Sequence, residues 1–131
     1  MILIIEDDKF AKSVMMETLA NDGFDIVGHA NMGKEGIEMA NEYDPDIITL
    51  DYMLPDMTGK EILEKIKRSK SHAKVILISA INDPIILNEC KSLGIFEHLT
   101  KPVDPNTLKT VVKKAYASLK EEMSIVKFNS D

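Results

Sequence analysis

Residues 2–8 read Ile2-Leu3-Ile4-Ile5-Glu6-Asp7-Asp8: four aliphatic residues, then three acids without a break. A strand covered on both faces has no solvent side to alternate toward, so it reads as a short continuous apolar run. The pattern recurs twice, at Ile47 to Leu50 followed by Asp51, and at Val75 to Ile78 followed by Ser79. Two weaker runs, Asp25 to Ala30 and Ile95 to Leu99, include Gly28, His29, Glu97 and His98. Polar residues inside a strand are tolerated where one side is open, so these two read as edge strands.

Helical patterns fill the intervals. Ala11, Val14, Met15 and Thr18 form an i, i+3, i+4, i+7 stripe, with Gly23 as its stop. Leu108, Val111, Val112, Ala115 and Leu119 repeat the stripe near the C-terminus, after Asp104 as N-cap and Pro105 at the first helical position. Gly33 to Glu42, Gly59 to Arg68 and Pro84 to Leu93 are the remaining helices, the last ended by Gly94. Strand and helix thus alternate five times, which predicts an α/β, doubly wound, flavodoxin-like fold. With the polar runs at the edges, the five-stranded parallel sheet takes the order 2-1-3-4-5, with five helices on its two faces. One domain is expected over residues 1–119, and residues 120–131 are expected to form a frayed C-terminal tail.

Composition narrows the functional classes. The 131 residues are 44% apolar and 29% charged, enough for one buried core. Acids outnumber bases 22 to 16, giving a net charge of −6, and the chain contains no Trp. Nucleic-acid binding needs clustered Lys and Arg or a base-stacking platform, so neither is expected. One cysteine, Cys90, excludes an internal disulfide framework and a Cys-rich metal site. No apolar run is long enough to span a bilayer, and the N-terminus turns acidic too early for a secretory signal. The expectation is a soluble, cytoplasmic domain with no membrane partner.

In an open parallel sheet, ligands bind beyond the carboxyl ends of the strands. The residues directly after the runs are Glu6, Asp7 and Asp8, then Asp51, then Ser79, then Lys101 and Pro102. Glu6, Asp7 and Asp51 converging there would repel one another unless a cation sat between them. Hard oxygen ligands with room for water and phosphate suit Mg2+, whereas zinc would want Cys or paired His. Ser79 and Lys101 could bind an oxyanion such as a phosphoryl group. Asp51, central in this set, is the best candidate for a carboxylate nucleophile that forms an aspartyl phosphate.

These residues resemble a response-regulator receiver domain of two-component signalling, of the stand-alone, chemotaxis-receiver-like type. The likeness rests on Glu6-Asp7, on Asp51-Tyr52-Met53-Leu54-Pro55 with Gly59 beyond it, on Ser79-Ala80 and on Lys101-Pro102. Intervals of 44, 28 and 22 residues separate Asp7, Asp51, Ser79 and Lys101. Each motif is weak alone, and the ordered set is specific.

The resemblance implies Asp51 as phosphoacceptor, Asp7 and Asp51 as direct magnesium ligands, Glu6 reaching the metal through water, and the Met53 carbonyl as a further ligand. It implies Ser79 as the switch hydroxyl, Ser79, Ala80 and Lys101 around the phosphoryl group, and a cis Lys101-Pro102 bond. His98 occupies the switch position where the family often has Tyr or Phe, which raises a pH-sensitive coupling. The implied donor is a histidine kinase or histidine phosphotransfer protein, and the implied output is partner binding through the α4-β5-α5 face, with Ile95, His98 and Tyr116 as candidates. The chain would catalyse its own phosphorylation and dephosphorylation without being a turnover enzyme. No output domain is expected after the last helix, although a fragment of a longer regulator would read the same.

Blander assignments compete at several positions. Asp8 reads as the cap of the first helix rather than a metal ligand. His29 and His72 read as surface residues, Cys90 and most methionines as packing, and Met57 as near the site. Phe10 falls off the core stripe close after the acids, either as tolerated surface or as a contact for a phosphodonor protein. A haloacid-dehalogenase-type phosphatase also uses an aspartyl phosphate, but it wants a second Asp two residues after the nucleophile, where this chain has Met53. A flavodoxin-like cofactor carrier would need a Ser/Thr/Gly-rich phosphate loop after the first strand.

Overall fold

The computed structural model describes residues 1–130. Its elements are β1 (Ile2–Ile5), α1 (Lys9–Asn21), β2 (Ile26–Ala30), α2 (Gly33–Tyr43), β3 (Ile47–Leu50), α3 (Gly59–Arg68), β4 (Lys74–Ser79), α4 (Pro84–Ser92), β5 (Glu97–Thr100) and α5 (Pro105–Ser130). All strand pairs are parallel and the order is β2-β1-β3-β4-β5. The three aliphatic runs are therefore the central strands, and the two polar runs are the edges.

Alternation along each strand divides the core into two layers. Leu3, Ile5, Ile48, Leu50, Val75 and Leu77 face Ala40 of α2, Ile62, Leu63 and Ile66 of α3, and Cys90 of α4. Ile2, Ile4, Ile47, Ile76 and Ile78 face Met15 and Leu19 of α1 and Leu108, Val111, Val112 and Ala115 of α5. Burying each such Leu or Ile is worth about 1.5–3 kcal/mol against leaving it in water. That double coverage is why the central strands are apolar between their ends, apart from the buried Thr49, with Lys74 and Ser79 only at the two ends of β4.

The register brings the carboxyl ends level. Ile5 pairs with Leu50, Leu50 with Leu77, and Ser79 with Thr100. The residues that follow the strands consequently meet at one rim. Asp8 caps α1 as expected, its carboxylate accepting from the Phe10 amide at 3.3 Å. Asp104 does the same for α5, accepting from the Thr107 amide at 2.9 Å.

One expectation fails at the C-terminus. Residues 120–130 are not a frayed tail but the continuation of α5 as far as Ser130. Burial against the sheet ends at Leu119; Met123 and Val126 carry the i+4, i+7 spacing onward but are exposed, and Lys120-Glu121-Glu122-Met123 still favour helix. A Glu122–Lys74 ion pair ties this overhang to the start of β4. The expected β5 also begins two residues late, at Glu97, although the Phe96 amide already donates to the Val75 carbonyl at 2.7 Å. Among the described residues, no helix is long and apolar enough to cross a membrane.

Candidate functional site

Three carboxylates lead the rim. Glu6 and Asp7 follow β1, Asp51 follows β3, and oxygens from all three lie within 4.8 Å of one another. Glu6 is 1% exposed and Asp51 7%, whereas Asp7 is open to solvent. Octahedral Mg2+ ligands sit about 3–4 Å apart, so this group of carboxylates could hold such an ion. From the far side, Lys101 Nζ approaches Glu6 Oε1 at 2.7 Å and Asp51 Oδ2 at 3.0 Å. The buried Glu6 carboxylate is thus held at both oxygens, Oε1 by the Lys101 ammonium and Oε2 by the Asp8 amide at 3.2 Å. Three converging carboxylates with a single ammonium among them leave excess negative charge and hard oxygens that suit a divalent cation.

Electrostatics point the same way. Burial is the main reason the Glu6 carboxyl is pushed up from 4.5 to about 7; the neighbouring Asp51 adds to the rise and Lys101 opposes it. Burial alone would lower Lys101, yet hydrogen bonding and attraction from Glu6 and Asp51 more than offset it, so the ammonium is raised above 10.5. The lysine therefore stays charged across the physiological range.

The hydroxyl side completes the rim. Ser79, the last residue of β4, is 1% exposed, and its Oγ accepts from the Ile81 amide at 2.9 Å. Its own proton remains free to donate. Ala80 follows it, exposed, and Lys101 follows β5 directly, joined to Pro102 by a cis peptide bond.

The loop after Asp51 is a tight hairpin. The Gly59 amide donates to the Tyr52 carbonyl at 2.6 Å, the Leu54 amide to the Met57 carbonyl at 3.2 Å, and Met53 bridges Thr58. A Cβ on Gly59 would stand 2.9 Å from Tyr52 Cα and 3.1 Å from the Asp51 carbonyl, so only glycine lets the start of α3 approach this closely. Met53 is 61% exposed.

His98 lies in β5, half-buried, with a buried Nε2 that has no hydrogen-bond partner among the described residues. It shares a shallow hollow with Lys91, Ile95, Phe96 and Glu97. Tyr116 does not join that face. Its ring stacks on Phe24 at 5.7 Å between centroids and its hydroxyl accepts from the Met1 amine at 3.2 Å, which puts it on the α1 side. Cys90 is fully buried, His29 exposed, and His72 exposed but within 3.5 Å of Asp44 and 3.7 Å of Asp46.

Two neighbours of the site carry no sequence signal. Asp56, in the hairpin after Asp51, accepts from the Gly33 amide at 2.7 Å and the Lys34 amide at 2.9 Å, capping α2 across 22–23 residues of chain. A cavity of about 300 Å³ opens between α1 and the segment after β5, lined by Glu6, Phe10, Val14, Lys101, Pro102 and Val103. Phe10, 78% exposed, stands at its edge.

Residues 2–113 match the family model described as the response regulator receiver domain. The sporulation initiation phosphotransferase F of Bacillus subtilis is 31% identical over 119 residues, covering 91% of this chain and 94% of that protein. The signal receiver domain of a putative Luxo repressor protein from Vibrio parahaemolyticus superposes with a TM-score of 0.89 at 26% identity, covering 95% of each chain. A CheX-CheY-BeF3-Mg2+ complex from Borrelia burgdorferi contains a chain that superposes with a TM-score of 0.82 at 29% identity, covering 88% of this chain and 87% of that one. With the family model matched over most of its length, and with acids, hydroxyl and lysine at the matching strand ends, this chain belongs to the response-regulator receiver domain family.

Proposed function

We propose that this chain accepts a phosphoryl group from phosphohistidine on Asp51, with Mg2+ bound by Asp7, Asp51 and the Met53 carbonyl and by Glu6 through water. The observation that carries the reading is the Lys101 ammonium 3.0 Å from Asp51 Oδ2, beside the three acids that would hold the cation. The ion would supply charge neutralisation at the phosphoryl oxygens, and it is the cation of the complex with a CheY chain named above.

The remaining work falls to side chains. An Asp51 oxygen attacks phosphorus while the bond to the donor imidazole nitrogen breaks and that nitrogen keeps the electron pair. Lys101 offsets the growing negative charge, and Ser79 has a free proton to donate to a phosphoryl oxygen. Turning toward that oxygen would cost Ser79 its bond from the Ile81 amide, shifting the Ala80–Ile81 segment and biasing the hollow around His98 and Ile95. Ser79 and His98 are then the switch pair, and the α4–β5 side is the surface for a downstream protein. The cavity beside Phe10 suits the approach of a histidine kinase or histidine phosphotransfer protein, because it opens next to Lys101 and Glu6.

Receiver domains are signalling domains; this one would catalyse only its own phosphorylation and dephosphorylation, in the cytoplasm. Intact-protein mass measurement tests the reading. Acetyl phosphate with Mg2+ should add one phosphoryl group to the wild type, none to Asp51→Asn, and none to the wild type in EDTA. A wild type that stays unmodified, or an Asp51→Asn variant modified to the same extent, overturns it.

A further inference from the structure

The first turn of α2 leaves amides without partners inside the helix, as every helix start does. Its own N-cap residue, Met32, has no side-chain acceptor to offer. Both oxygens of Asp56 fill that role from the hairpin that carries Met53, one on Gly33 and one on Lys34. Those two amides, Lys34 foremost, hold the Asp56 carboxyl below the usual carboxylate range. A second contact reinforces the joint. A Cβ built on Gly33 would meet Met57 Cγ at 2.2 Å, so the Met57 side chain lies flush on the first turn of α2.

The hairpin is anchored in the core by Tyr52 and Leu54, and its tip beyond them is fixed by its own bonds. Here those are the Leu54–Met57 bond, the Met53–Thr58 bridge and the Gly59–Tyr52 bond. Asp56 and Met57 add a fixed external wall. We infer that Asp56 is a positioning residue for the metal site: by tethering the Asp51–Gly59 hairpin to the start of α2, it holds the Met53 carbonyl on the side of the three carboxylates. The inference rests on the magnesium reading above. Groups that orient a ligand from behind it typically change metal affinity by about 10–100-fold when removed. One carbonyl among several ligands places the expected loss near the low end, at about tenfold.

Coupling between two sites is reciprocal, so the metal must in turn tighten the joint. Mg2+ should raise the hydrogen-exchange protection of the Gly33 and Lys34 amides in the wild type. Removing the tether is separable from removing the cap, because α2 can be capped locally by a serine at its N-cap position.

The test compares the wild type, Asp56→Ala and the double variant Met32→Ser/Asp56→Ala, using calorimetric Mg2+ titration, thermal melting and amide exchange read by NMR. Asp56→Ala should bind Mg2+ about tenfold more weakly and exchange its Leu54 and Gly59 amides faster. The double variant should recover the melting temperature and the protection of the α2 first turn, yet keep the weakened Mg2+ affinity and the exposed hairpin amides. Wild-type Mg2+ affinity in either variant overturns the inference, and recovery in the double variant alone would reduce Asp56 to a helix cap. A wild type that binds no Mg2+ defeats the magnesium reading instead. In that case the tether stands on exchange alone: unchanged Leu54 and Gly59 amides in Asp56→Ala overturn it.

Discussion

Glu6 makes the domain's stability depend on pH in a direction opposite to that of most carboxylates, and replacing it by Gln should remove the effect. Its carboxyl titrates at about 7 in the fold and near 4.5 when unfolded, chiefly because burial penalises the ionised form. Between those values the folded chain holds a proton that the unfolded chain has released. Stability from this group is therefore whole below about 4.5 and drains away as pH climbs to about 7. The interval corresponds to about 3 kcal/mol, with no discount for solvent screening because Glu6 is 1% exposed. Lys101, raised from 10.5, stays charged throughout and adds no slope of its own.

Glu6→Gln keeps the shape and removes the ionisation. In EDTA, the stability of the variant relative to wild type should rise by about 2–3 kcal/mol between pH 5 and pH 8. At a urea slope of about 2 kcal/mol per M, the midpoints should separate by about 1 M over that range. Far-UV circular dichroism can follow the unfolding; carboxylates remote from Glu6 titrate in both proteins and cancel from the difference, while Asp51, which interacts with Glu6, belongs to the measured effect. Saturating Mg2+ should flatten the wild-type dependence by displacing the proton, and should do less for the variant. Parallel curves for the two proteins in EDTA refute the reasoning, since the Glu6 carboxyl would then titrate alike in the folded and unfolded chains.

Three further outcomes can be checked separately. Lys101→Met should slow phosphorylation by acetyl phosphate roughly 10²-fold, measured by intact mass against time, because the cation facing the developing charge is gone. Gly59→Ala should cost about 1–3 kcal/mol in urea unfolding, since its Cβ meets backbone at Tyr52 and Asp51 that cannot step aside. His98→Phe should raise thermal stability by about 1 kcal/mol, because it replaces a buried ring nitrogen without a partner by carbon. Wild-type melting for that variant would mean that Nε2 finds a partner in solution.

Legibility in the sequence followed physical range. The central strands announced themselves because both faces are covered, so Ile2–Ile5 and Val75–Ile78 admit no polar residue. The same rule exposed the rim: the polar residue that ends each apolar run, Glu6, Asp51 or Ser79, marks the carboxyl end of its strand, with only the buried Thr49 interrupting a run earlier. The far end of α5 goes against expectation because its signal is thin: past Leu119 only Met123 and Val126 carry the stripe on, exposed among charged residues and touching no sheet. Tyr116 was assigned to the wrong face for a related reason. Its place on α5 was clear, but only the packed Phe24 ring decides which side of the helix it takes. Asp56 lies furthest from any pattern, since its partners are 22 and 23 residues away and no periodicity links a hairpin carboxylate to another helix's first amides. Residues chosen by local backbone or by burial can therefore be read from sequence, whereas those chosen by a single distant contact cannot. The geometry that would aim the Met53 carbonyl belongs to the second kind, because it depends on the distant contact of Asp56 with the Gly33 and Lys34 amides.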